Sequence, residues 1–167
     1  MRNTVKFISA TCLSCIVAGN VWADLSDGLV AFYPFSGNVN DDSGNGYHGT
    51  VHGALITADR FGKLGAYGFD GDDGRIKLDG EAINSLNSLT VALWLQTFDS
   101  GSNEHFLSAA HSGQNNEFLI KHNNGKILLL VKGEEHKMSD ARINDNSWHH
   151  IVFTREGSVI KLYIDKL

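Results

Sequence analysis

The chain has 167 residues, 42% hydrophobic and 20% charged, with 18 Gly and a single Pro, which excludes a disordered or collagen-like polymer and suits one globular domain of β character. Its formal charge of -5 argues against nucleic acid and anionic membranes as partners, because both carry the same sign. Cys12 and Cys15 both fall within the first 23 residues, so the remainder offers neither a disulfide framework nor thiol chemistry.

Arg2 and Lys6 give a basic start, Phe7 to Val21 is mostly apolar or small, and Val21-Trp22-Ala23 ends on a small residue before Asp24. This pattern predicts a secretory signal peptide over residues 1–23, cleaved after Ala23. The apolar run is short of the roughly 20 residues that span a bilayer. A released product, extracellular or periplasmic and with no membrane insertion after cleavage, is therefore expected. Neither Ser9-Ala10-Thr11 before Cys12 nor Cys12-Leu13-Ser14 before Cys15 suits a lipoprotein cleavage site. Loss of Arg2 and Lys6 takes the formal charge from -5 to -7.

After the turn-like Leu25 to Gly28, the apolar run Leu29 to Phe35 predicts a strand, with Pro34 marking an edge or an end because it donates nothing to a ladder. Ser36 to Gly46 is almost entirely turn formers and acceptor side chains, which predicts a surface loop. His48 to Gly53 and Gly65 to Phe69 predict short strands, Ala58 to Lys63 a polar connection, and Asp70 to Gly74 a turn leading into Arg75 to Leu78. Glu81 to Ser88 is the one place that allows a helical turn. Leu89 to Phe98 predicts a long strand, with Val91, Leu93 and Leu95 on one side and Trp94 on the other. His105 to Ala110, Glu117 to His122 and Lys126 to Lys132 follow as strands, the last two joined by Asn123-Asn124-Gly125, whose residues tolerate positive φ. Trp148 to Arg155, the turn Glu156-Gly157-Ser158 and Val159 to Asp165 predict a hairpin whose second arm puts Ile160, Leu162 and Ile164 on one face. Short strands about ten residues apart, with no convincing helix, indicate a β-sandwich.

Several stretches together resemble the laminin G-like jelly rolls of the concanavalin A-like lectin/glucanase superfamily, in the secreted bacterial version. They are Gly28 to Phe35 with Asp41 to Gly46 and His48-Gly49; Phe69-Asp70-Gly71 leading into Ile76; Leu89-Thr90-Val91 with Trp94; and Trp148-His149-His150-Ile151-Val152 with Leu162-Tyr163-Ile164-Asp165. The resemblance covers Asp27 to the end and implies an all-β jelly-roll sandwich of two antiparallel sheets over residues 24–167. Such domains usually bind glycans or proteins and do not catalyse. The family continues past the aspartate with a glycine turn and further strands, where this chain has Lys166-Leu167. The expectation is a domain incomplete at its C-terminus, excerpted from a larger extracellular or surface protein.

Asn40 to Gly46 has the oxygen-rich side chains and flexible backbone that a hard cation such as calcium requires, and Asp41, Asp42 and Asn45 are the candidate ligands of a structural Ca2+. The alternative is a loop whose Asp and Asn side chains cap their own turns. Asp70, Asp72 and Asp73 form a second acidic turn, read as solvated charge. His149 and His150 are neighbours on a strand and point to opposite faces, so they cannot share an ion. His48 and His52 stand too far apart for shared coordination, about 13 Å along a strand. A glycosidase needs two carboxylates about 5 to 9.5 Å apart, and no Glu-x-Asp-x-x-Glu strand or nucleophile elbow occurs. Trp94 and Trp148 read as core, and Tyr47 and Tyr67, beside loops, as the better sugar contacts. The expected function is a secreted non-catalytic module for carbohydrate binding, with protein-binding adhesion as the alternative and a glycoside hydrolase-related domain third.

Overall fold

The computed structural model describes residues 26–83, 86, 88–98, 100–109, 118–131 and 134–165; the expected signal peptide, with Cys12 and Cys15, lies outside them, as does Lys166-Leu167. The chain forms two compact units, divided between Leu89 and Thr90.

In the first unit Leu29 to Phe35 is not a strand, because its backbone groups are bonded to a loop and not to a ladder. β1 (Thr50–His52) pairs antiparallel with a later strand, Arg75–Lys77, placing Val51 opposite Ile76. β2 (Leu55–Ala58) pairs with β3 (Leu64–Gly68), so that Ile56 faces Tyr67. Their connection is closed by Asp59, whose Oδ1 accepts the N–H groups of Phe61 and Lys63 at 2.8 and 2.9 Å. All four residues of β2 are exposed, so it lacks the one-sided apolar alternation that betrays a strand, and the sequence does not reveal it. Arg75–Lys77 is β4. A single 3₁₀ turn, Gly80–Ala82, stands at the start of the stretch where a helical turn was expected.

The second unit contains the long strands. β5 (Ser88–Gln96) begins just before the division, and β6 (Ser102–Ala109), β7 (Phe118–Asn123), β8 (Lys126–Val131), β9 (Glu134–Arg142), β10 (Trp148–Glu156) and β11 (Val159–Ile164) follow. They form one sheet of order β11-β10-β5 and another of order β6-β7-β8-β9. The pairs within the four-stranded sheet and β10 with β11 are antiparallel, so the fold is all-β as expected.

Along β10 the period of two is plain: His149, Ile151 and Phe153 are buried while His150, Val152 and Thr154 are only half-buried. Across the hairpin Ile151 faces Ile164 and Phe153 faces Leu162. In the other sheet β8 buries Ile127, Leu128, Leu129 and Val131, the near-continuous apolar run of a covered strand. Phe153, Ile120, Ile127, Leu129, Ile143 and Ile151 are the largest fully buried apolar side chains, so both sheets feed the core. Each contributes about 1.5 to 3 kcal/mol by leaving water.

β9 was not anticipated. Its sequence, EEHKMSDAR, is too charged to read as a strand, yet it lies at the edge of its sheet, where charge discourages pairing with another chain.

The β7–β8 turn is as predicted. Asn124 (φ 52) and Gly125 (φ 80) are both left-handed, the requirement of a two-residue hairpin turn whose twist matches its strands. A Cβ on Gly125 would run into the side chain of Asn144. Gly125→Ala is therefore expected to destabilise the protein by about 2 kcal/mol, through positive φ and that clash together. Urea denaturation checks this, and an unchanged midpoint would count against the assigned turn.

Candidate functional site

In the first unit the apolar segment Leu29 to Phe35 pairs with no strand among the described residues, and the loop after it bonds to its backbone. Asp41 is only 5% exposed, although it stands in the stretch expected to be all surface. Its Oδ1 accepts the N–H groups of Phe32 and Ser43, both at 2.9 Å. Its Oδ2 accepts the Tyr47 N–H at 3.0 Å and the Ser43 hydroxyl at 2.9 Å. Asn45 Nδ2 donates to the carbonyls of Leu29 and Val30 at 3.0 Å, and the Asp42 N–H to the Phe32 carbonyl at 2.8 Å. Gly44 (φ 91) and Gly46 (φ 80) let the loop curl back far enough to reach these groups.

Burial alone would raise the Asp41 pKa. The N–H donors of Phe32, Ser43 and Tyr47 and the Ser43 hydroxyl more than reverse this, holding it below the ordinary 3.8. The carboxylate therefore stays charged and fully engaged.

That engagement bears on the calcium expectation. A cation needs oxygen lone pairs aimed at it, whereas both oxygens of Asp41 face N–H and O–H donors. Asp42 and Asn45 are exposed, and the Asn45 amide nitrogen is turned to backbone carbonyls. Among the described residues no group of three or more His, Cys, Asp or Glu is placed to hold a metal. The donor set at Asp41 does not fit Ca2+.

Above the loop is an aromatic group. The Tyr33 hydroxyl donates to the Tyr47 carbonyl at 2.6 Å, and its pKa is pushed up to about 12 by burial, then by the charges of Asp41 and Asp79. The Phe35 ring stacks on Tyr33 with centroids 6.4 Å apart and meets Tyr67 of β3 edge-on at 5.4 Å. All three rings are half-buried, and Phe35 holds a φ of 56, which a bulky residue rarely adopts. Of the two tyrosines expected near a sugar, Tyr67 contributes its ring here and Tyr47 its backbone.

In the second unit Trp94 and Trp148 are half-buried, and His150 stacks on Trp94 at 4.8 Å. His149 and His150 do face opposite ways, His149 toward Asp145 and Asp165. The acidic turn at Asp70 is exposed, its Asp70 Oδ1 accepting the Asp72 N–H at 3.1 Å.

A family model described as the concanavalin A-like lectin/glucanases superfamily, Laminin_G_3, matches residues 70–166. The chain belongs to that superfamily. The match takes in β4 to β11 of this laminin G-like domain and accounts for its antiparallel sheets as a jelly-roll sandwich. Tyr33, Phe35 and Tyr67 precede the matched residues. Lectin-superfamily membership supports carbohydrate or protein recognition in general. No solved structure matches the chain.

Asp41→Asn keeps the shape but removes two acceptor positions, and is expected to cost about 2 to 3 kcal/mol. Because the folded pKa of Asp41 is depressed, its contribution is present above 3.8 and is lost as pH falls through the lowered value. Thermal melts of wild type and variant should therefore converge in acid, and excess calcium should leave both unchanged. A calcium-dependent rise in Tm, reversed by chelator, would restore the metal reading.

Proposed function

We propose that this laminin G-like domain is a non-catalytic recognition module whose ligand is a glycan bound at the Tyr33-Phe35-Tyr67 group. The observation that carries the reading is this half-buried aromatic cluster, with Phe35 held in a left-handed conformation. An aromatic face stacks on the apolar face of a sugar ring, and strained backbone gathers at binding sites. The extended hydrogen-bonded loop around Asp41 supports the cluster from one side, through Tyr47. Export rests on the basic start and apolar run of residues 1–23, which make an extracellular or periplasmic glycan the reachable ligand.

A protein partner is the second reading, favoured by one feature. Leu55, Phe61 and Leu64 of the β2–β3 hairpin are 75%, 65% and 68% exposed, more apolar surface than a short hairpin ordinarily shows to water.

Retention on immobilised polysaccharides tests the first reading. Phe35→Leu and Tyr67→Ala are each expected to weaken retention about tenfold, the loss of one stacking contact, with Tm measured alongside to separate binding from folding. Failure of the wild type to bind any polysaccharide would overturn the glycan reading, and turnover of one would overturn the non-catalytic assignment.

A further inference from the structure

His149 stands at the start of β10, on the strand's inward side and 8% exposed, with a carboxylate at each ring nitrogen. Nδ1 is 2.7 Å from Asp165 Oδ2, and Nε2 is 3.0 Å from Asp145 Oδ1. A neutral imidazole has one N–H and one lone pair, so it can donate at only one of these ends. The other end would then set a lone pair against a carboxylate oxygen. Only the imidazolium, with two N–H groups, satisfies both.

Each carboxylate is also built into the backbone. Asp165 Oδ1 accepts the His150 N–H at 2.8 Å, and the Asp165 N–H donates to the His150 carbonyl at 2.9 Å, holding Asp165 at a φ of 51. Asp145 Oδ1 accepts the Ser147 N–H at 2.8 Å. Between them Asn146 (φ 64) is tied to the end of β5: its N–H donates to the Thr97 carbonyl at 3.0 Å, and its carbonyl accepts from Gln96 Nε2 at 2.7 Å. One imidazole thus joins the end of β11, the start of β10 and a turn anchored on β5.

We infer that Asp145, His149 and Asp165 form a proton-operated clasp across one end of the β11-β10-β5 sheet, closed while His149 carries two ring protons and opened when it loses one. Among the described residues the charges that bear on it are those of the three members, with His150 acting on Asp165. Burial by itself disfavours the imidazolium, but the hydrogen bonds and charges of Asp165 and Asp145 outweigh it and raise the His149 pKa above 6.5. For Asp165, burial is outweighed by the bonds from His149 and the His150 N–H; for Asp145, the His149 bond leads, followed by the Ser147 N–H; both pKa values fall below 3.8.

The raised His149 pKa means that its contribution is full below 6.5 and is lost as pH rises through the folded value. The depressed carboxylates contribute above 3.8 and lose that contribution as pH falls through their lowered values. The clasp is closed between these limits and opens as pH rises through the folded His149 value. Opening unlinks the Asp145 carboxylate from the end of β11 and loosens both, while Asn146 keeps its bonds to β5 and the buried face of β10 stays packed.

An NMR pH titration of the full chain tests this, following the His149 ring together with hydrogen exchange at the His150 and Ser147 amides, corrected for intrinsic rates. The expected result is a His149 midpoint above 6.5, with exchange at both amides rising about tenfold through that same midpoint. Asp145→Asn, which keeps the shape and removes a charge, should lower the midpoint and bring the onset of exchange down with it. His149→Gln should abolish the pH dependence at both amides. A midpoint at or below 6.5, or amide exchange that does not follow the ring titration, overturns the clasp; if His149→Gln does not fold, the Asp145→Asn comparison decides alone.

Discussion

The carboxylate of Asp41 does for residues 29–47 what a neighbouring strand does for the rest of the chain. Buried backbone groups must find partners, and an apolar segment without a ladder would leave several unmet at a cost of about 1 to 3 kcal/mol each. Here two carboxylate oxygens take three N–H groups and a hydroxyl, while Asn45 covers two carbonyls. The position of Tyr47 follows from this arrangement, and with it the carbonyl that receives the Tyr33 hydroxyl. The aromatic cluster thus depends on an acidic side chain buried a few residues away.

The second unit solves the same problem by ladders. Its central strands bury apolar side chains on a period of two or in continuous runs, and β9, at one edge of the four-stranded sheet, has a charged sequence. Polar side chains enter where strands end. His149 occupies the first inward position of β10 after the turn, a point where an apolar residue would leave Asp165 and Asp145 without a common donor.

The parts of this fold that were legible in the sequence are those set by local chemistry. The hairpin from Trp148 to Asp165 follows from β-branched and aromatic alternation broken by a glycine turn, and the Asn124-Gly125 turn from the two residues that best accept positive φ. Leu29 to Phe35 misled because an apolar run records only that a segment is buried; what bonds to its backbone is decided by side chains up to 16 residues away. β2 and β9 escaped for opposite reasons, one exposed on both faces and the other masked by charge. The partner of His149 could have been found: once Ile151 is opposite Ile164, the continued register brings Asp165 alongside His150 and within reach of its neighbour.

The stitches around Asp41 also differ from the sheets in how far they reach. They close spans of 2 to 16 residues, whereas β5 belongs to a sheet whose other strands lie more than fifty positions along the chain. The entropy spent in closing a loop rises with the logarithm of its length, so the early segment is inexpensive to order and the later sheet is not. A polypeptide emerging N-terminus first would have the whole of residues 29–49 available long before β10 could join β5. Its aromatic cluster would then await only β3, a strand from the same half of the chain, and could be assembled while the larger sheets were still being made.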